Sequence, residues 1–257
     1  MSGRQIIIGD IHGCVEEFDA LIDSLSLTTE DTVILVGDLV DKGPHSASVV
    51  GRARALREGG FNVVLVMGNH EEKHSRFRTR LAAGADTTVL KGHEEMDEIT
   101  RGMCSEDVWF LNSAVLFHRI EGYNSIVVHA GIPMSLQQLP PSPGDVEGLS
   151  RKERDRLNLM MRVRYVRPST GSMVPLGEEQ EGDVYWAESY DGRFGHVYFG
   201  HEPFMDGREF NFPNATGLDH GCVFGGRLSA MILTPDRREI VSVPARTRYS
   251  VPHLQDV

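Results

Sequence analysis

Three short apolar runs near the start of the chain each end in a glycine followed by a polar, ligand-type side chain, and this pattern restricts the fold more than any other feature. Ile6-Ile7-Ile8 leads into Gly9-Asp10, Thr32 to Val36 into Gly37-Asp38, and Val63 to Met67 into Gly68-Asn69-His70. Between the first two, apolar residues at helical spacing (Val15, Phe18, Leu21, Ile22, Leu25) predict a helix over Cys14–Leu25. A second helix is predicted over 46–57, with Pro44 just before its start. The runs are apolar throughout instead of alternating, as expected of parallel strands buried on both faces. The chain therefore begins as β-α-β-α-β, and its expected class is α/β.

The order loosens downstream. Residues 81–108 mix polar residues and glycine and suggest a cap inserted into a single domain spanning 1–257. Ile126-Val127-Val128 reads as another buried strand, ending in His129-Ala130-Gly131. Three of the twelve prolines fall in a predicted loop over 137–150. A charged helix is expected over 150–160, then Gly-rich, acidic loop sequence to 195. The last third carries strand-like runs at 197–199, 231–233 and 240–243, without internal repeats. With 257 residues, 40% of them hydrophobic, the chain can build a sizeable core. Its 26 Lys+Arg against 37 Asp+Glu give a net charge of -11, which excludes a general nucleic-acid coat or an anionic-membrane binder. A local basic pocket remains compatible with that charge. Cys14, Cys104 and Cys222 are too scattered for a disulfide scaffold. No apolar run has transmembrane length and no signal-like stretch opens the chain, so a cytoplasmic protein without membrane association is expected.

Five strand ends deliver the same kind of residue: Asp10 and His12, Asp38 and Asp41, Asn69 and His70, His129, and His201 after Gly200. In open α/β sheets the crevice beyond the carboxyl ends of the strands is where ligands bind. One Asp or Asn after a strand is usually a helix cap or turn residue. Five such ends are better explained by a metal site. Two carboxylates, three imidazoles and one amide, without a suitable thiolate, suit Mn, Fe, Zn or Co better than a structural zinc or an all-oxygen calcium or magnesium site. Six donors are too many for one catalytic ion with an open position. They fit two ions sharing a carboxylate, and a pair ~3.5–4 Å apart can clamp a phosphoryl group and generate hydroxide near neutral pH.

Gly9-Asp10-Ile11-His12-Gly13, Gly37-Asp38-Leu39-Val40-Asp41-Lys42-Gly43, Gly68-Asn69-His70-Glu71, His129-Ala130-Gly131 and Gly200-His201 resemble, in order and spacing, the motifs of the metallophosphoesterases in the phosphoprotein phosphatase family. The resemblance implies the calcineurin-like fold, two packed mixed β-sheets flanked by α-helices. It also implies one metal held by Asp10, His12 and Asp38, and a second by Asp38, Asn69, His129 and His201, with Asp38 as the bridge. Attack would come from a hydroxide bridging the two ions, manganese being the first expectation for both. His70 would protonate the leaving group, its imidazole held by Asp41. That assignment agrees with an imidazolium supplying a proton near neutral pH.

Three further features resemble the ApaH-like branch, similar to bacterial symmetrical diadenosine tetraphosphatases. Lys42 stands where Arg is usual, and Gly217 to Ala230 is similar to that branch's C-terminal signature, with His220 in place of its Thr. Met161-Arg162-Val163-Arg164-Tyr165 resembles its paired-arginine segment. One of Arg162 and Arg164 should contact substrate phosphate, because a guanidinium fork matches phosphate oxygens; Lys42 and Asn69 are further phosphate-binding candidates. The implied substrate is nucleotide-type, a dinucleoside polyphosphate such as diadenosine tetraphosphate, with mRNA caps and phosphoserine or phosphothreonine proteins as alternatives. No protein partner is expected.

His70-Glu71-Glu72-Lys73-His74 also fits the H-E-x-x-H pattern of zinc proteases. Coming straight after an apolar strand and a turn, it is read as a chance match, and Glu71→Gln is expected to leave phosphatase activity largely intact. A non-catalytic phosphate-binding module is disfavoured because the whole ligand set is present together with His70 and Asp41. His45, His74, His93, His118, His196 and His253 have no partner motif and are expected as surface or core residues. Cys14 and Cys222 are read as small hydrophobes, and Trp109 and Trp186 as core or cap residues.

Overall fold

The computed structural model describes residues 3–252 apart from 206, 207 and 209, so His253 lies outside the described residues. The first part of the chain forms β1 (Gln5–Ile8), α1 (Val15–Leu25), β2 (Thr32–Leu35), α2 (Ser46–Glu58), β3 (Asn62–Leu65) and α3 (Asn69–Ala82). Then come α4 (His93–Arg101), α5 (Ser105–Asn112), β4 (Phe117–Ile120), β5 (Ser125–Val128) and α6 (Arg151–Asn158). The remainder holds β6 (Tyr165–Arg167), β7 (Ser172–Val174), β8 (Val184–Tyr185), α7 (Trp186–Ser189) and β9 (His196–Phe199). It closes with β10 (Asn211–Phe212), β11 (Ala215–Gly217), β12 (Arg227–Thr234) and β13 (Arg237–Pro244). No described helix is long and apolar enough to cross a membrane.

Two five-stranded mixed sheets form the centre. The first runs β13-β12-β1-β2-β3, with β1, β2 and β3 parallel and β12 antiparallel to β1. The second runs β10-β11-β9-β5-β4, with β5, β9 and β11 parallel and antiparallel strands at both edges.

Side-chain alternation explains why these strands are apolar throughout. Ile6 and Ile8, Val33 and Leu35, and Val63 and Leu65 pack with Phe18, Leu21, Val49 and Phe110 of the outer helices. The intervening Ile7 and Ile34 turn the other way, into a layer shared with Val127 and Tyr198 of the second sheet and with Leu218 just past β11. On the far face of that sheet, Ile126, Val128, Val197 and Phe199 are covered by Met160, Tyr185 and Trp186. Each fully buried aliphatic side chain contributes roughly 1.5–3 kcal/mol. The inter-sheet layer thus fixes the strand ends of one sheet against those of the other.

The region expected as loop up to residue 195 instead contains a third small sheet, β7-β6-β8. Its strands have two or three residues each, too short to register a period of two.

Candidate active site

The carboxyl ends of β1, β2 and β3 in one sheet, and of β5 and β9 in the other, open on one crevice. Asp10, His12, Asp38, Asp41 and His129 are buried there, with Asn69, His70 and His201 partly exposed. Among the described residues, seven other than glycine have positive φ, and five of them are at this site: His12, Asp38, Asp41, Lys42 and His201. Left-handed backbone costs of order 1–3 kcal/mol at such residues and persists where the surroundings over-determine it. Here it turns side chains from successive strand ends inward. Gly200 and Gly68 supply close approach: a Cβ on Gly200 would lie 1.9 Å from Asp10 Oδ1, and one on Gly68 2.2 Å from Asp38 Oδ1.

Asp38 is the hub. Its Oδ2 lies 3.5 Å from His12 Nε2 and 3.8 Å from His70 Nε2, and its Oδ1 lies 3.4 Å from His129 Nε2. Donor atoms of His12, Asp38 and His70 lie within 4.8 Å of one another, as do those of Asp38, His129 and His201. Asn69 Oδ1 is 2.9 Å from His129 Nε2. Asp10 Oδ2 accepts the His201 backbone N–H at 3.0 Å. Two imidazoles have their tautomers set by the backbone, because a carbonyl can only accept: His12 Nδ1 donates to Val40 O at 2.8 Å and His129 Nδ1 to Val36 O at 2.9 Å. Both rings therefore direct Nε2 toward Asp38, the arrangement typical of metal-ligating histidines.

Electrostatics and unsatisfied atoms test whether cations fit. Burial holds the His12 and His201 imidazoles well below their usual range, assisted by Lys42 and Arg164 respectively. Burial pushes Asp38 up, but His129, His70 and His12 outweigh it and hold the group ionised. Neutral imidazole and carboxylate are the ligating forms. Burial would lower His129 as well, yet the Asp38 charge beside it raises that ring to about 9, the pull of a carboxylate that would equally favour a cation. Burial, then the Asp219 charge, pushes Asp10 well above the usual carboxylate range, and burial raises Asp219 to about 6. Asp10 Oδ1 and His201 Nε2 are buried with no hydrogen-bond partner. The pocket thus gathers buried carboxylates, neutral imidazoles and unused donor atoms. The residues present fit divalent cations.

Asp41 carries His70. Its Oδ2 accepts from His70 Nδ1 at 2.5 Å and from Lys73 Nζ at 3.3 Å, while Oδ1 accepts from His74 Nε2 at 2.7 Å. His74, expected as a surface or core residue, is completely buried and joined to the site through Asp41. The two histidines of the H-E-x-x-H pattern do share a helix face, but they meet on a carboxylate. Glu71 turns elsewhere, accepting from the backbone N–H groups of Asp38 (2.7 Å), Leu39 (2.8 Å) and Gly68 (3.1 Å). It fixes the loop that carries Asp38, a structural role that argues against the expectation that Glu71→Gln leaves activity largely intact. The only signal in the sequence was its third position in α3, from which a Glu reaches back to the helix start.

Cationic side chains surround this crevice. Lys42 Nζ is 3.2 Å from His12 Nε2, and its backbone N–H donates to Glu95 Oε1 at 3.1 Å. Arg164 is pinned by Glu202 (Nε–Oε2 2.6 Å) and donates to the His201 carbonyl at 3.1 Å. Arg162, more exposed, pairs with Glu72 at 2.7 Å. His220 is a buried imidazole 2.6 Å from Ser229 Oγ, held to about 4 by burial and Arg227. Of the tryptophans, Trp186 is core and Trp109 is exposed on α5.

A family model described as calcineurin-like phosphoesterase matches residues 3–205. A bis(5'-nucleosyl)-tetraphosphatase PrpE of Anoxybacillus flavithermus, named as asymmetrical, is 31% identical over 256 residues, 95% of each chain. The Bacillus subtilis protein of the same name is 29% identical over 264 residues, 98% of each chain. A crystal structure provisionally described as a diadenosine tetraphosphatase aligns at TM-score 0.68 and 30% identity, over 95% of each chain.

Proposed function

The chain belongs to the calcineurin-like phosphoesterase family, and on that premise we propose that it hydrolyses the phosphoanhydride bridge of dinucleoside polyphosphates such as diadenosine tetraphosphate. The observation that carries this reading is the pair of donor groups sharing Asp38, with His70 at their edge. Asp10, His12 and Asp38 would hold one divalent ion, and Asp38, Asn69, His129 and His201 the other. We propose manganese for both, from the mixed nitrogen and oxygen donors. When bound, the two ions would neutralise charge on the phosphoryl oxygens and make water nucleophilic near neutral pH.

The protein's own groups supply the remaining steps. His70, aligned through Nδ1 by Asp41, presents Nε2 to give a proton to the departing phosphate oxygen. Arg164, held in place by Glu202 and the His201 carbonyl, offers its guanidinium to a phosphate oxygen, and Lys42 supplies a second positive charge. Arg162 serves the outer part of the polyanion. The segment 81–108 acts as a cap on a single domain, since its Glu95 reaches the Lys42 backbone.

Following the names of the relatives, we propose asymmetrical cleavage, in place of the symmetrical cleavage suggested by the ApaH-like motifs. The test compares diadenosine tetraphosphate, capped RNA and a phosphopeptide with Mn2+ and resolves the nucleotide products. Fastest turnover of diadenosine tetraphosphate to ATP and AMP is expected, and Asp38→Asn should abolish it. Two ADP would reverse the regiochemistry, and preference for either other substrate would overturn the substrate assignment.

A further inference from the structure

Beneath the N-terminus of α1 lies a second set of side-chain donors, none of them from the residues assigned to the phosphoesterase centre. The side chains of Cys14, Glu17 and Cys222 are 1%, 1% and 2% exposed. Their two sulfurs and a Glu17 carboxylate oxygen lie within 4.8 Å of one another. Donors around a tetrahedral zinc sit about 3.5–3.8 Å apart, given Zn–S of about 2.3 Å and Zn–O of about 2.0–2.2 Å. Small side-chain movements would close the set on one ion.

Glu17 is the anomaly that points to a ligand. Its Oε1 accepts from the Arg246 backbone N–H and from Tyr249 Oη, each at 2.8 Å, whereas its Oε2 is buried with no partner. The Arg246 guanidinium goes to the neighbouring Glu16, and among the described residues no ion pair involves Glu17. A carboxylate buried without a cation is costly, and buried carboxylates are characteristically paired or bound to metal. Both cysteines are free thiols, and a disulfide between them would leave Glu17 unexplained.

We propose that Cys14, Glu17 and Cys222 form a structural site for a thiophilic divalent cation of the zinc and cadmium class. The S2O donor set selects a softer ion than the nitrogen and oxygen set around Asp38. The His12 carbonyl, which accepts from Cys14 Sγ at 3.7 Å, is available as a fourth donor. Two thiol protons leave for solvent as the ion enters. The ion ties the turn after His12 to the turn after Asp219 and His220, clasping two loops that frame the phosphoesterase centre from behind.

The test uses the full chain carrying Cys104→Ser, so that only Cys14 and Cys222 can supply thiolate, first saturated with Mn2+ and then titrated with Cd2+. One equivalent should produce sulfur-to-cadmium charge-transfer absorption and raise Tm. Cys14→Ser and Cys222→Ser should each cut the band to about half or less, and Glu17→Gln should weaken cadmium binding roughly tenfold or more. An independent arm requires no substitution in the core: Cd2+ should slow alkylation of Cys14 and Cys222 in partially denaturing urea. Absence of the charge-transfer band from the Cys104→Ser protein, a full band in Cys222→Ser, or equal alkylation rates with and without Cd2+ would each overturn the site.

Discussion

His74 donates its Nε2–H to Asp41 Oδ1 at 2.7 Å, so the carboxylate that orients His70 is itself held by a second, fully buried imidazole. A carboxylate can only accept, which puts the hydrogen on Nε2; Nδ1 of the same ring has no partner. The His74 ring therefore acts toward Asp41 alone. His74→Phe, which keeps the volume and removes the donor, should lower kcat about tenfold, equivalent to ~1.4 kcal/mol in the barrier, with little change in KM. Steady-state kinetics on diadenosine tetraphosphate check this. Unchanged kcat in a folded His74→Phe protein would reduce His74 to packing.

Glu71→Gln should be severe. The two carboxylate oxygens accept from three backbone N–H groups, and an amide can present only one acceptor oxygen, leaving its NH2 group facing donors. An unsatisfied buried donor costs about 1–3 kcal/mol, and here the strain falls on the backbone of Asp38. The expected result is a lower Tm, weaker retention of metal in equilibrium dialysis and loss of most activity. Wild-type metal content in this variant would show that the Asp38 loop does not depend on Glu71.

Arg164 and Arg162 should separate in kinetics. Arg164 has a fixed geometry, 12% exposed, ion-paired with Glu202 and hydrogen-bonded to the His201 carbonyl, whereas Arg162 is 39% exposed and pairs with the partly exposed Glu72 of α3. Removing a preorganised guanidinium from a phosphate in the transition state should cost more than removing a mobile one. Arg164→Ala is expected to reduce kcat/KM roughly a hundredfold, and Arg162→Ala less than tenfold, mainly through KM. The reverse ranking would assign the phosphate contact to Arg162.

The sequence carried the strand ends well because each is a local signal: an apolar run, a glycine and a polar residue within a few positions. Asp10, His12, Asp38, Asn69, His70, His129 and His201 could be read that way, and the structure brings them together. Glu71 and His74 were visible as a pattern but not as partners. Their acceptors and donors, Asp38, Leu39 and Asp41, lie about thirty positions back in the chain, on a different strand end. Short β6, β7 and β8 left no periodic trace, and Arg164 could not be separated from Arg162 because its anchor, Glu202, is nearly forty residues away.

Asp31 supplies a pH test of the fold apart from the site. It closes the turn before β2 by accepting from Arg4 N (2.9 Å), Arg4 Nε (3.1 Å), Arg4 Nη2 (2.7 Å) and Thr28 N (2.9 Å). Burial alone would raise this carboxyl, but the Arg4 and Thr28 hydrogen bonds outweigh it and hold it well below the usual range. A carboxyl depressed on folding contributes stability that is complete above its unfolded pKa of about 3.9 and is lost as pH falls through the lower native value. Urea unfolding at neutral pH should find Asp31→Asn destabilised by about 1–3 kcal/mol, since the Arg4 ion pair and one acceptor oxygen are removed. The difference between Asp31→Asn and the parent should shrink as pH is lowered below about 4, because protonation removes the same charge from the parent. A difference constant from neutral pH down to pH 3 or below (about one unit under the unfolded value) would mean that the charge on Asp31 contributes nothing to folding.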